Sequence, residues 1–162
     1  LPLAFADFMA RTGGIIGAEG YRFVGELVDD MRLPIDPAVR PRIQLGKGVL
    51  AKDYLLALSE REDCKREFQR ALAGVDALLT PTAATAAVPV AQVDQSSSPA
   101  LFTRVGNYLD MCGVALPNGF TADGLPISLQ ILARGYDEAM ALRIAWAYEQ
   151  ASDWRTRRPP GL

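Results

Sequence analysis

The chain has 162 residues, of which 49% are hydrophobic and 22% charged, with a formal net charge of −2. Apolar mass on that scale suits one soluble globular domain; it excludes intrinsic disorder, a collagen-like or repeat chain, and a membrane span, which needs ~18 uninterrupted apolar residues. A near-neutral balance offers no long-range field to nucleic acid or anionic lipid, so neither partner is expected.

In chain order, Pro2 to Ala10 predicts a short helix, followed by a break at Gly13, Gly14 and Gly17. Phe23, Leu27 and Met31 then recur at helical spacing over Ala18 to Met31. Pro34, Pro37 and Pro41 punctuate a link in which Asp36-Pro37 has the form of an N-cap followed by a first-turn proline. Val49 to Ala73 carries the longest helix signal. Tyr54, Leu58, Phe68 and Leu72 form its stripe, with Ala51, Leu55 and Ala71 beside it, and Gly74 is its stop. The charged run Glu60 to Glu67 lies mostly on the other face and reads as a solvated surface.

Val75 to Thr80 predicts a buried strand ending at Pro81. Thr80 to Ser98 is an extended loop, with a strand weighed at Ala87 to Val90. Ser98-Pro99 opens a helix to about Met111. Two strands, Val114 to Phe120 and Pro126 to Leu132, flank a hairpin-like turn at Ala122-Asp123-Gly124, where glycine supplies a positive φ. Asp137 caps a last helix to about Ala151, striped by Met140, Ile144 and Tyr148, and residues 153–162 form a polar tail. Strands mixed with helices predict an α/β layered fold whose few strands leave an open sheet edge.

The chemical inventory is narrow. There is no histidine, so Ser-His-Asp, Cys-His and His-ligated zinc chemistry inside this chain are excluded. Cys64 and Cys112 are far apart and form no CxxC pair, so they read as buried thiols of a reducing compartment, the cytoplasm. The sequence contains no G-x-S-x-G elbow, no Ser-x-x-Lys pair and no phosphate-binding loop. Gly13-Gly14 and Gly46-Lys47-Gly48 read as plain turns. Nothing calls for a cofactor or a metal, and no residue is assigned as catalytic. The informative segment is Phe102 to Gln130. Asn107 sits mid-helix, where its propensity is poor, and Gln130 interrupts an apolar strand and needs a satisfied amide. The plain reading is a well-made helix-hairpin unit. The sharper one is a pocket wall with Thr103, Asn107 and Gln130 as polar contacts.

Asp76-Ala77-Leu78-Leu79-Thr80-Pro81-Thr82 resembles the D-x-[LI]-[LI]-x-P-T strand of the amidase signature family. Thr103 and Asn107 resemble its T-x-x-x-N helix. Pro117-x-Gly119-Phe120 with Gly124-Leu125-Pro126-x-x-x-Gln130 resembles P-x-G-[FY]…G-L-P-x-G-x-Q. Weaker matches lie at Ala18-Glu19, Arg42-Ile43-x-x-Gly46, Tyr54 and Arg61, and at the helix from Asp137-Glu138 to Glu149. Ser128 stands where the family usually has glycine, and Asp110 and Cys112 stand where many members have glycine and proline. The N-x-x-D-x-C form is similar to some stand-alone bacterial amidases and to allophanate hydrolases; the amidotransferase A subunit is a further relative.

The resemblance implies the C-terminal part of an α/β/α layered fold with a mixed sheet, spanning residues 1–162. It also implies a carboxamide hydrolase acting through a Ser–cis-Ser–Lys triad. The triad belongs upstream: none of Ser59, Ser96, Ser97, Ser98, Ser128 and Ser152 matches a triad position, and a chain opening on Leu1 reads as a processed or truncated product. This segment is then expected to be inactive alone and to expose an apolar patch where the missing N-terminal part sits. It would contribute Phe102, Thr103, Asn107 and Gln130 to the wall around a small amide substrate. Members that amidate tRNA-bound glutamate carry an acidic residue three before the threonine; Ala100 there weighs against that activity. A non-catalytic interaction module and a homodimer remain as alternatives.

Overall fold

A computed structural model describes residues 2–95 and 97–157. The chain divides into two packing units, one formed by residues 1–71 with 94–98 and the other by 72–93 with 99–162.

The first unit is helical. Helix α1 runs from Phe5 to Asp29 and kinks at Val24, whose backbone is non-helical. The expected glycine break does not form. Gly13 and Gly14 lie on the exposed side, where they cost propensity but disturb no packing, and Gly17 is buried as a contact surface. Phe8, Ile15 and Val28 are the buried apolar residues of α1. Helix α2, Arg40–Gln44, follows the link, and a 3-10 turn, Leu45–Gly48, continues it. The Asp36 carboxylate accepts from the amides of Ala38 and Val39 at 2.7 and 3.3 Å, as its place before Pro37 predicts.

Helix α3 spans Ala51–Ala71 and buries Cys64 and Phe68. Tyr54, Leu58 and Arg61 are half-buried, whereas Leu55, which the sequence stripe places near the core, stays open. Phe68 meets Phe8 edge-to-face, with centroids 5.4 Å apart.

A polar clamp closes the C-terminal end of α1. The Arg40 guanidinium, only 7% exposed, donates to the carbonyls of Val28, Asp30 and Leu33. Gln44 donates to Val28 and Asp29, and Lys47 and Tyr21 donate to the Asp29 carboxylate at 2.7 and 2.6 Å. Cationic and amide donors therefore meet the carbonyls a helix end leaves unpaired. Donation from Lys47, Tyr21 and Gln44 holds the Asp29 carboxyl down from 3.8 to about 2. The same contacts raise the Lys47 ammonium, chiefly through Asp29.

The second unit is the layered part. Strands β1 (Ala77–Pro81), β2 (Cys112–Phe120) and β3 (Pro126–Ala133) form one sheet in the order β1-β3-β2. Both pairings are antiparallel, so the mixed sheet implied by the resemblance is not the pairing among the described residues. Central β3 is buried from Gln130 to Ala133. Ile131, Leu116 and Ala145 form the core beneath helix α5, Glu138–Gln150. On the opposite face, Leu132 fits against Gly106 of helix α4, Arg104–Leu109; a side chain on Gly106 would lie 3.1 Å from the Leu132 methyl. Alternation along β3 thus produces an α/β/α arrangement.

Two expectations change in this unit and two hold. Helix α4 starts only at Arg104 rather than near Ser98, because Leu101 to Thr103 form a turn first. The strand weighed at Ala87 to Val90 is irregular chain leading into a 3-10 turn, Val90–Gln92; Pro89 lacks a donor and this segment has no ladder partner. Gly124, at φ +82°, does make the hairpin turn, and the Asp137 carboxylate does cap α5 through the Met140 amide at 3.3 Å. Of the polar tail, Trp154 lies against Phe120 with centroids 6.2 Å apart, and the Arg157 guanidinium sits 4.0 Å from the Phe120 centroid. Residues 158–162, and Ser96, lie outside the described residues.

Candidate functional site

The antiparallel register places Thr80 opposite Gln130 and carries on past Pro81, where the Thr82 amide donates to the Ser128 carbonyl at 3.1 Å. Residues two apart on a strand share a face, so Thr80, Thr82, Ser128 and Gln130 form a polar column on the α4 side. The Gln130 amide nitrogen donates to the Thr80 hydroxyl at 3.1 Å and to the Phe102 carbonyl at 3.0 Å. Both Gln130 and Thr80 are 6% exposed. The buried amide that the sequence requires to be satisfied is thus used to tie β1, β3 and the turn entering α4 together.

The four residues singled out in the sequence fall into two places. Phe102 and Gln130 meet through that bond, and Thr103 follows, its hydroxyl donating to the Ala100 carbonyl at 3.3 Å. Asn107, one turn further along, is exposed and lines a separate depression of about 370 Å³ with Gly106, Asp110, Met111, Cys112, Tyr136 and Glu138. Asp110 and Tyr136, the non-glycine residues with positive φ among those described, border this depression. Gly135 lies so close to the Asp110 carbonyl that a Cβ would stand 2.4 Å from it, which fixes the crossing of these turns. The Cys112 thiol donates to the Arg134 carbonyl at 3.2 Å, and neither cysteine is in a disulfide. Burial pushes the Cys64 thiol up, which keeps it unreactive.

A larger cavity of about 600 Å³ opens where β1 ends and β3 begins. Its wall is mostly Leu79, Pro81, Ala83 to Ala87, Pro126, Ile127 and Leu129, with Thr80, Thr85, Asn118 and Ser128 as polar members. Asn118 is the extra residue of a β-bulge: Pro117 pairs with Ser128 and Gly119 with Ile127, leaving Asn118 without an opposite number. Gly119, at φ +154°, accepts the backbone that the bulge requires. Thr82, between two wall residues, has a buried hydroxyl with no hydrogen-bond partner, a condition that costs about 1–3 kcal/mol. The sequence reading missed Asn118; a glycine two residues after a proline inside a strand was the signal that could have found it.

The Amidase family model matches residues 3–142. The A subunit of glutamyl-tRNA(Gln) amidotransferase from Synechococcus sp. (strain JA-2-3B'a(2-13)) is 39% identical over 132 residues, 76% of this chain and 26% of the relative. A crystal structure of an amidase superposes with a TM-score of 0.81 at 24% identity, covering 92% of this chain and 36% of that one. Kluyveromyces lactis allophanate hydrolase (S177A) gives a TM-score of 0.76 at 21% identity, covering 87% and 24%. The chain thus spans about a quarter of the length of the curated relative it matches. With an ordered set of motifs, an α/β/α unit built on them and a family match over most of its length, this chain belongs to the Amidase family.

Proposed function

We propose that residues 1–162 are the C-terminal segment of a cytoplasmic amidase-signature hydrolase that cleaves the C–N bond of a small carboxamide. An upstream serine, activated by lysine through a bridging cis-serine, attacks the amide carbonyl. The tetrahedral adduct collapses, ammonia or an amine leaves with a proton, and water releases the carboxylic acid from the acyl-serine. This segment supplies core strands and a pocket wall: Phe102 and Thr103 face the substrate, and Gln130 holds the Phe102 turn in place, whereas Asn107 lies at a separate depression. The family match over residues 3–142 carries this reading.

The test is ammonia release from carboxamides by the product of the whole reading frame containing these residues, beside residues 1–162 alone. Turnover by the whole protein and none by the segment is expected. Turnover by the segment alone, or none by the whole protein, overturns the reading. A second reading, the A subunit of a glutamyl-tRNA(Gln) amidotransferase, is favoured by the identity to the Synechococcus protein. It predicts that the whole protein prefers glutamine as amide donor and acts with partner subunits; Ala100, where an acidic residue is expected for that activity, weighs against it.

A further inference from the structure

We propose that residues 153–157 are a strap: their docking on Phe120, rather than strand pairing, holds the far end of the β2–β3 hairpin. Strap and hairpin lie in the same packing unit, and the inference stands apart from the hydrolase reading. It starts from how weakly the ladder holds that end. β1 pairs with β3 as far as Leu129, and the Thr82 amide adds one bond to the Ser128 carbonyl. Beyond Ser128 the sheet among the described residues is two-stranded, an arrangement of marginal stability in water. Pro117 and Pro126 have no amide to donate there, and the bulge at Asn118 removes a further rung. The turn that follows is tied to itself. The Thr121 and Gly124 amides donate to the Leu125 and Thr121 carbonyls, both at 2.9 Å, and the Leu125 amide donates to the Thr121 hydroxyl at 3.0 Å. Residues 122–127 are exposed.

The tail supplies a third contact. In the 3-10 turn Trp154–Thr156, the Thr156 amide and hydroxyl donate to the Asp153 carbonyl at 3.1 and 2.7 Å, and the Arg157 amide donates to that of Trp154 at 3.4 Å. Three residues make one turn of such a helix, so Trp154 and Arg157 project from the same side and reach one ring. The Trp154 ring lies 6.2 Å from the Phe120 centroid at an interplanar angle of 52°, and the Arg157 guanidinium 4.0 Å from it, within the range of cation–π attraction. Phe120 pairs with Pro126 and precedes Thr121, on which all three turn bonds converge. Fixing its ring therefore fixes the last rung and the turn together. Asn118 and Pro126 stand at this end of the hairpin and line the cavity, so the strap also sets the position of the cavity rim.

The experiment is hydrogen–deuterium exchange, followed by mass spectrometry, on the product of the whole reading frame containing these residues. Wild type is compared with Arg157→Gln, which removes the charge from an exposed position, with Trp154→Ala, with Phe120→Leu, and with Phe120→Leu and Arg157→Gln combined. The peptide spanning residues 117–127 is expected to exchange about threefold faster or more in Arg157→Gln and in Trp154→Ala, while peptides of α3 keep their wild-type rates. Without the Phe120 ring the guanidinium has nothing to hold, so the combined variant is expected to exchange at the rate of Phe120→Leu, within about 1.5-fold. A smaller acceleration in either single tail variant overturns the strap. So does an equal acceleration in α3, which would report loss of stability throughout the protein, or a further acceleration when Arg157→Gln is added to Phe120→Leu.

Discussion

Gln130 shows how one side chain constrains several elements. It is buried in an apolar strand, and both amide hydrogens are committed, one to Thr80 and one to the Phe102 carbonyl. Replacing it with leucine keeps the bulk and strands two polar partners, so Gln130→Leu is expected to lower unfolding free energy by about 2 kcal/mol, measured by urea denaturation. Asp29 tests the clamp at the end of α1. Its folded-state carboxyl titrates near 2 against 3.8 ordinarily, because Lys47, Tyr21 and Gln44 donate to it. A depressed carboxyl stabilises the fold above pH 3.8 and loses that contribution as pH falls through about 2. Asp29→Asn is therefore expected to be less stable than wild type above pH 3.8, with the difference closing as pH falls toward 2. A Tm gap independent of pH across that window would contradict the assignment. At this scale the sequence signalled that Gln130 needs a partner. It held no sign of the Asp29 clamp, whose donors come from 8 to 18 residues away.

Among the elements, those defined by local signals were legible. Gly74 and Gly124 both take positive φ, Asp137 caps α5, and the two long strands appear within two residues of their expected starts. The elements misread are those decided by packing. The glycines of α1 looked like a break, yet Gly17 is where the chain of the 3-10 turn crosses the helix: a Cβ on Gly46 would stand 1.9 Å from the Gly17 carbonyl oxygen. Gly46-Lys47-Gly48 is thus a contact, with the Lys47 side chain used in the clamp, rather than a plain turn. Gly46→Ala is expected to cost about 1–3 kcal/mol, because backbone must move to admit the methyl. Gly48→Ala, with nothing within 4 Å, serves as the control and is expected to change stability far less, both read by thermal denaturation.

For the molecule as a whole, the sheet is narrow. β1 and β2 are both edges of a three-stranded sheet among the described residues, and Leu79 and Ile127 are 54% and 40% exposed beside the cavity. Unpaired edges with apolar neighbours are places where further chain can add. If the parent completes the sheet, backbone amides of β1 that exchange rapidly in residues 1–162 should be protected at least tenfold more in the whole protein. Equal exchange in both would mean that these edges stay open and would count against the C-terminal-segment reading.

By itself the sequence determined the family, through motifs whose order and spacing survive in the one-dimensional pattern. It also determined the α/β class, the caps and turns, and the absence of imidazole chemistry from this chain, because each depends on residue identity or on neighbours a few positions away. Tertiary structure alone decided that α1 runs on through Gly13, Gly14 and Gly17, the clamp on its end, the antiparallel order β1-β3-β2 and the commitment of Gln130 to Thr80 and Phe102. It also decided the meeting of Pro81, Asn118 and Ser128 around one cavity. Those features join residues tens of positions apart, and their energies arise from burial and close approach, which exist only once the chain has folded.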